Sequence, residues 1–184
     1  MSLTAQQLAE QMPDARELLS DEPEMESTQH YQQLALLVSS LEWLWRERDD
    51  FFIGANLTVY YDHEQLRRRA FRGPDLFLVR DTTRVPRNSW VVWEEGGRYP
   101  DLIIELLSDS TITSEFAGFR LVNRWYQPIV PNEQGWRWSE VLGLYLGIAE
   151  GRLRYFEKSG EQVPNPAEAA LRQIECTKQE QQRA

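Results

Sequence analysis

Two apolar segments of this 184-residue chain each begin with a Pro-Asp pair, and together they carry carboxylates that could do chemistry. Residues 73–79 read Gly-Pro-Asp-Leu-Phe-Leu-Val and place Asp75 at the start of a strand-like run. Residues 99–105 read Tyr-Pro-Asp-Leu-Ile-Ile-Glu and add Glu105 four residues after the second aspartate, Asp101. Alternate residues of a strand share one face, and adjacent strands lie about 4.8 Å apart. If the two segments pair, Asp75 and Glu105 can therefore reach one ion between them.

Two converging carboxylates favour the binding of a hard divalent cation. We expect Glu105 to lie in the apolar middle of a sheet, where an unpaired carboxylate is costly or takes up a proton. A cation shared with Asp75 relieves that cost. Mg²⁺ suits the site because it accepts one or two carboxylates and keeps waters for a phosphate substrate. Such an ion would polarise a phosphate oxygen and lower the pKa of a bound water.

Two plainer interpretations of these residues stay open. A glutamate within a strand can pair with an arginine or face the solvent, and Pro-Asp at a strand start can serve only as a turn device. The distance between the carboxyl groups of Asp75 and Glu105, and any guanidinium that neutralises Glu105, distinguish these interpretations from a metal site.

The elements that must position these carboxylates are a mixture of helices and strands. Residues 28–48 form the clearest predicted helix, because apolar side chains recur at three- and four-residue spacing, and Ser27 or Thr28 could cap it. Further segments are assigned from β-rich runs, turn residues and helical spacing. They are strands at 51–61 (interrupted at Gly54), 74–79, 89–93 and 101–107, a turn at 94–97, hairpins at 116–122 with 125–130 and 142–148 with 152–157, and a helix at 167–182. The run at 101–107 is almost continuously apolar, which predicts a strand buried on both faces.

Composition excludes several classes of protein. Hydrophobic residues make up 41% of the chain and seven are Trp, which excludes wholesale disorder. Cys176 is alone, so an internal disulfide or a thiolate metal site is excluded and a reducing compartment fits. No apolar run approaches the roughly 20 residues of a membrane span, and residues 1–24 lack a signal-peptide core. We therefore expect a cytoplasmic protein with no membrane partner.

The net charge of −9 opposes loose binding to phosphate backbones, which is an electrostatic attraction. Uneven charge can still allow a nucleic-acid contact. Arg67, Arg68, Arg69 and Arg72 form a local basic cluster just before the first Pro-Asp pair. Such a cluster could touch a phosphate backbone or lie in a solvated loop.

Four segments together resemble the Uma-two (Uma2) family of bacterial restriction-type endonucleases, within the PD-(D/E)xK nuclease superfamily. They are Glu-Met-Glu-Ser-Thr-Gln-His at 24–30, the run at 73–79, Ser-Trp-Val-Val-Trp-Glu-Glu-Gly at 89–96, and Pro-Asp-Leu-Ile-Ile-Glu-Leu-Leu-Ser at 100–108. By this resemblance Asp75 matches the first metal carboxylate and Glu105 the (D/E) position. Glu26 matches a supporting acidic residue at the start of the long helix. The backbone carbonyl of Leu106 would complete the metal shell.

The resemblance implies an α/β (α+β) fold with a restriction-endonuclease-like mixed β-sheet core flanked by helices, and the residue pattern adds C-terminal β-hairpins. It also implies a homodimer that hydrolyses phosphodiester bonds of double-stranded DNA with Mg²⁺. The length favours one domain. The predicted boundaries are an N-terminal arm at residues 1–23, the PD-(D/E)xK nuclease-like domain at 24–170 and a C-terminal helical tail at 171–184.

The chain departs from the superfamily pattern at one position. The (D/E)xK spacing places lysine at 107, where this chain has Leu107, and no lysine precedes Lys158. The resemblance implies that the family carries this lysine instead on a helix that follows the Glu strand, and residues 108–115 are too few for such a helix. An arginine stays protonated and cannot serve as the base. Impaired cleavage is therefore one expectation, and the alternative is a catalytically inactive member that binds nucleic acid or protein.

Overall fold

The computed structural model describes residues 19–20, 27–62, 73–106, 116–123 and 125–183. The helices are α1 (Thr28–Leu44) and α2 (Pro166–Arg183). The strands are β1 (Phe51–Ala55), β2 (Val59–Tyr60), β3 (Leu76–Arg80), β4 (Trp90–Val91), β5 (Leu102–Ile104), β6 (Phe119–Val122), β7 (Trp125–Pro128), β8 (Arg137–Ser139), β9 (Leu144–Ala149) and β10 (Arg152–Phe156). The predicted mixed α+β class is confirmed. Neither helix in these ranges combines the length and apolar character that crossing a membrane requires.

The chain divides into two units, which are described separately. The first, of residues 1–24 and 49–105, contains the sheet β1-β3-β5 and the parallel pair of β2 and β4. The second, of residues 25–48 and 106–184, contains both helices, the sheet β10-β9-β8 and the hairpin of β6 and β7. The boundaries predicted at residues 23 and 170 stay predictions.

In the first unit, β3 is the central strand of an antiparallel sheet and is buried on both faces. Its residues 76–79 are each 1% exposed or less. The Phe77 ring packs edge-on to Trp90 of β4, and Phe52 of β1 stacks on Trp90 with ring centroids 5.4 Å apart. Gly54 of β1 lies opposite Phe77, and a Cβ at Gly54 would come within 2.2 Å of that ring. Glycine at position 54 therefore allows the Phe77 ring to pack directly against the backbone of β1.

Two strand predictions in this unit are wrong in detail. The segment 51–61 is interrupted at Asn56, where φ is +47°, and not at Gly54, which lies inside β1. The predicted burial of β5 on both faces is also wrong, because Ile103 is 51% exposed. Within the described ranges β5 pairs with β3 and lies at an edge of the sheet. An apolar sequence does not distinguish an edge strand from a central one.

In the second unit, α1 packs against β10. Leu34, Leu37 and Leu41 recur at helical spacing and are 3% exposed or less. Ser27 caps the helix, because its Oγ accepts from the backbone N–H of His30 at 3.1 Å. The Gln33 side chain donates to the carbonyl oxygen of Leu153 in β10 and accepts from its N–H, at 2.9 and 3.1 Å. The helix ends at Leu44 rather than at the predicted residue 48.

The sheet of β8, β9 and β10 carries the predicted second hairpin. Glu150 and Gly151 both have positive φ, +52° and +71°, as a two-residue type I′ turn requires. The Trp136 ring stacks on Phe156 with centroids 3.9 Å apart and lies against Gly147. Trp136 therefore packs onto this sheet.

A capping box starts α2 and ties it to β10. The Asn165 side chain accepts from the N–H of Glu168, and the Glu168 carboxylate accepts from the N–H of Asn165, both at 2.9 Å. The same carboxylate takes two hydrogen bonds from the guanidinium of Arg154, one of them at 2.8 Å. The Arg154 side chain is 7% exposed. The hydrogen bonds from Arg154 are the main reason that the pKa of Glu168 lies below its usual value.

Replacing Glu168 with glutamine is expected to lower the free energy of unfolding by about 2 kcal/mol at neutral pH, because the buried guanidinium of Arg154 loses its charged partner. A depressed pKa means that the carboxylate stabilises the fold above its ordinary pKa of 4.5 and loses this effect as pH falls through its folded value. Urea unfolding of both proteins should therefore show a difference that is full at neutral pH and shrinks in acid. A Glu161→Gln variant is the control, because its exposed pair with Arg172 should contribute less than about 1 kcal/mol.

Candidate metal-binding site

The register of β3 and β5 brings Asp75 and Glu105 together. Leu76 pairs with Ile104 and Phe77 with Ile103 in an antiparallel ladder, so one further step sets Asp75 opposite Glu105. Directly opposed residues of such a ladder point to the same face with Cβ atoms about 5 Å apart. The Glu105 Oε2 atom lies 3.5 Å from the backbone N of Asp75, which is a long hydrogen bond.

The prediction that Glu105 lies in the apolar middle of a sheet is wrong. Glu105 is exposed and follows the last residue of an edge strand, while Asp75 is half-buried before the first residue of β3. Relief of a buried charge therefore does not argue for a metal here. The two carboxylates lie at one end of the sheet, and Glu105 is exposed to solvent there.

The second Pro-Asp pair has a structural role. The Asp101 carboxylate accepts from the backbone N–H of Arg80 at 2.8 Å and from its guanidinium at 3.3 Å. The N–H of Asp101 in turn donates to the carbonyl oxygen of Leu78 at 2.8 Å. Arg80 therefore pairs with Asp101, whereas Glu105 is exposed, as the plainer interpretation of a strand glutamate that faces the solvent expects.

The other predicted site residues are less well placed by the structure. Glu26, Leu107 and the arginine cluster at 67–72 lie outside the described residues. Leu106 follows Glu105 directly and is half-buried. Among the residues that the structure does describe, no group of three His, Cys, Asp or Glu side chains could hold a metal ion. The roles of Glu26 and Leu106 stay predictions.

A divalent cation fits the two carboxylates that are described. Carboxylate oxygens are hard donors, and Mg²⁺ commonly takes one or two of them and fills its other positions with water and substrate phosphate. Glu105 is exposed to solvent, and its Oε2 atom lies 3.5 Å from the Asp75 backbone N. The donor set is therefore sufficient for Mg²⁺ but too small for a dedicated protein cage.

One charged residue that the sequence does not single out organises the chain near this sheet. The Arg87 guanidinium lies over the rings of Phe52 and Trp90, at 4.8 and 4.9 Å. It also donates to Glu95 and to the backbone carbonyl of Thr83 at 2.9 Å. Arg87 therefore joins the segment after β3 to the turn after β4 and is a structural cation. Its contacts span several elements, so no local pattern marks it.

The chain matches the model of a known protein family. The Uma2 family model, described as "Putative restriction endonuclease", matches residues 5–116, which is more than half of the chain and includes both Asp75 and Glu105. No curated protein and no solved structure matches the chain.

Proposed function

This chain belongs to the Uma2 family of restriction-type endonucleases, and from that premise we propose that it is a Mg²⁺-dependent endonuclease that cleaves phosphodiester bonds in double-stranded DNA. Membership suggests nuclease activity and implies DNA binding. Restriction-endonuclease-like proteins generally use divalent metal ions. We propose in addition that the metal ion is Mg²⁺, that this chain is active, and that Asp75, Glu105 and the Leu106 carbonyl bind the ion.

The observation that carries the proposal is the closeness of Asp75 and Glu105 at the end of the paired strands β3 and β5, where Glu105 Oε2 lies 3.5 Å from the Asp75 backbone N. The pairing of Leu76 with Ile104 holds the adjoining backbones of Asp75 and Glu105 close together. Their position at an open sheet end suits a substrate as large as duplex DNA. The family match covers both residues.

In this proposal each residue has one task. Asp75 and Glu105 hold the cation and set its position relative to the scissile phosphate, and the Leu106 carbonyl adds a third oxygen. When bound, the cation supplies charge stabilisation at the phosphate and a water of lowered pKa. No lysine stands at position 107 to orient that water or take its proton. We therefore propose that cleavage is slow compared with nucleases that have the full (D/E)xK pattern.

The missing lysine also favours a second candidate function. A family member that lost catalysis could still bind nucleic acid or protein through the same fold. The net charge of −9 weighs against strong non-specific DNA binding and so favours a protein partner within this alternative.

Two assays on the full chain separate the candidates. Supercoiled plasmid is incubated with the protein and Mg²⁺, with and without EDTA, and duplex binding is followed by fluorescence anisotropy in Ca²⁺. We expect nicking that saturates with Mg²⁺ and falls to background with EDTA. Duplex binding without nicking would support the inactive DNA-binding member. Absence of both would reject the nuclease and the nucleic-acid-binding module together, and leave the protein-binding module.

A further inference from the structure

The hairpin of β6 and β7 exposes an apolar face. Phe119 pairs with Pro128 and Leu121 with Tyr126, and residues paired in this way lie on one side of a hairpin. Phe119, Leu121 and Tyr126 are 59%, 62% and 75% exposed, and Pro128 is also exposed. Val130, which follows shortly after β7, is 83% exposed. These five residues, here called the hairpin face, include no charged side chain.

The hairpin is anchored at its base and open beyond it. The N–H of Ile129 donates to the carbonyl oxygen of Gly118 at 2.7 Å, and the Arg137 guanidinium lies 4.5 Å from the centre of the Phe116 ring. A Cβ on Gly118 would come within 2.9 Å of the Arg137 side chain, so glycine permits this close contact. The base is therefore fixed to the segment that leads into β8, while the side chains of the hairpin face are exposed.

The two strands also leave backbone groups available. In the described ranges β6 and β7 pair with each other and form a sheet of two strands. A two-stranded hairpin is marginally stable alone in water, and an open strand edge is a template for pairing with another chain. Another protein surface could cover the apolar face and pair with the open strand edges of this hairpin.

We propose that the hairpin face pairs with the hairpin face of a second copy of this chain, around a two-fold axis. Aromatic side chains offer roughly 150–250 Å² when fully exposed, so the five partly exposed side chains contribute on the order of 500 Å² per copy and 1,000 Å² per pair, which is the lower limit for a specific interface. A two-fold interface brings a surface against itself. An uncharged face allows this although each copy carries a net charge of −9.

Charge argues against DNA as the occupant of this face. Binding to a duplex draws most of its affinity from cations that neutralise phosphates, and the hairpin face has none. Arg120 and Gln127 pair with each other one position away from Phe119 and Leu121, and so lie on the opposite side. The pairing of copies is independent of the nuclease chemistry, because it uses no residue of the Asp75 and Glu105 pair.

The test compares the same added charge on the two sides of the hairpin. Sedimentation velocity on the full chain, in reducing agent, is run over a range of micromolar concentrations for wild type, Leu121→Glu and Gln127→Glu. We expect a wild-type dimer, at least about tenfold weaker dimerisation in Leu121→Glu because a charge is buried at the centre of the contact, and wild-type behaviour in Gln127→Glu. Both positions are exposed, and circular dichroism with thermal melting verifies that each variant folds.

A second measurement does not depend on any variant. Hydrogen exchange of wild-type peptides covering residues 119–128 should slow as protein concentration rises, because pairing of copies covers the hairpin. A monomeric wild type whose exchange is independent of concentration would overturn the proposal. Equal dimerisation of wild type and Leu121→Glu would overturn it as well. Loss of duplex binding in Leu121→Glu, with wild type monomeric, would instead assign the face to DNA.

Discussion

Changing Glu105 to glutamine is expected to lower Mg²⁺-dependent nicking by at least about 1,000-fold, and changing Asp75 to asparagine should have a similar effect. A bound cation contributes several kcal/mol of transition-state stabilisation, and a loss of about 4 kcal/mol corresponds to about three powers of ten in rate. Each substitution preserves size and removes one anionic ligand. With two described carboxylates, the site has little redundancy to compensate.

Matched controls are available in the same unit. Glu94 is exposed in the turn after β4, so Glu94→Gln makes the same chemical change away from the site. Asp81 directly follows β3 and has φ of +55°, a conformation that asparagine also tolerates. Asp81→Asn therefore matches Asp75→Asn at the opposite end of one strand. We expect both controls to nick plasmid at the wild-type rate.

A binding measurement must accompany the rates. The enhancement of water relaxation by Mn²⁺ reports occupancy of the site whether or not the protein is active. We expect the Asp75 and Glu105 variants to bind Mn²⁺ more weakly than the wild type, and the Glu94 and Asp81 variants to bind it with wild-type affinity. Unchanged nicking in both site variants would end the nuclease proposal for this pair. Unchanged Mn²⁺ affinity with lost nicking would show that the residues act without holding the ion.

Introducing lysine at position 107 is expected to raise the nicking rate by about 100-fold. The substitution restores the lysine that the (D/E)xK pattern places two residues after its carboxylate. Positioned proton transfer contributes about 10²- to 10⁴-fold to a reaction, and the lower end suits a residue added to a site that did not evolve with it. The same plasmid assay gives the rate.

Leu107→Arg separates proton transfer from added charge. Arginine supplies a cation of similar reach but stays protonated, so it should strengthen duplex binding without raising the rate by more than a few-fold. Equal activation by lysine and arginine would attribute the gain to phosphate attraction alone. No activation by lysine would show that position 107 does not serve the chemistry in this chain.

Local patterns in the sequence predicted much of the fold. Leu34, Leu37 and Leu41 identified the buried side of α1, and the turn at Glu150 and Gly151 identified the hairpin of β9 and β10. The opposition of Asp75 and Glu105 follows from pairing two Pro-Asp strands, which the structure places side by side. Their use as metal ligands stays a prediction.

Features that depend on distant partners could not be predicted. The exposure of Ile103 depends on whether a further strand covers β5, which its own apolar run does not encode. Asp101 resembled Asp75 in sequence, yet Arg80, 21 residues earlier, binds its carboxylate. Arg87 gave no local signal either, because its partners Glu95 and Trp90 become neighbours only when the chain folds.

The contact between Arg80 and Asp101 helps to maintain the strand register that brings Asp75 and Glu105 together. A slip of one residue between paired strands moves every side chain of the slipped strand to the other face. Slippage of β5 would thus carry Glu105 away from Asp75 without altering either residue. The Arg80 backbone N–H and guanidinium donate hydrogen bonds to the Asp101 carboxylate at the far end of the ladder, and these bonds oppose that slip. Alignment of the two acids is therefore set from the opposite end of the strand.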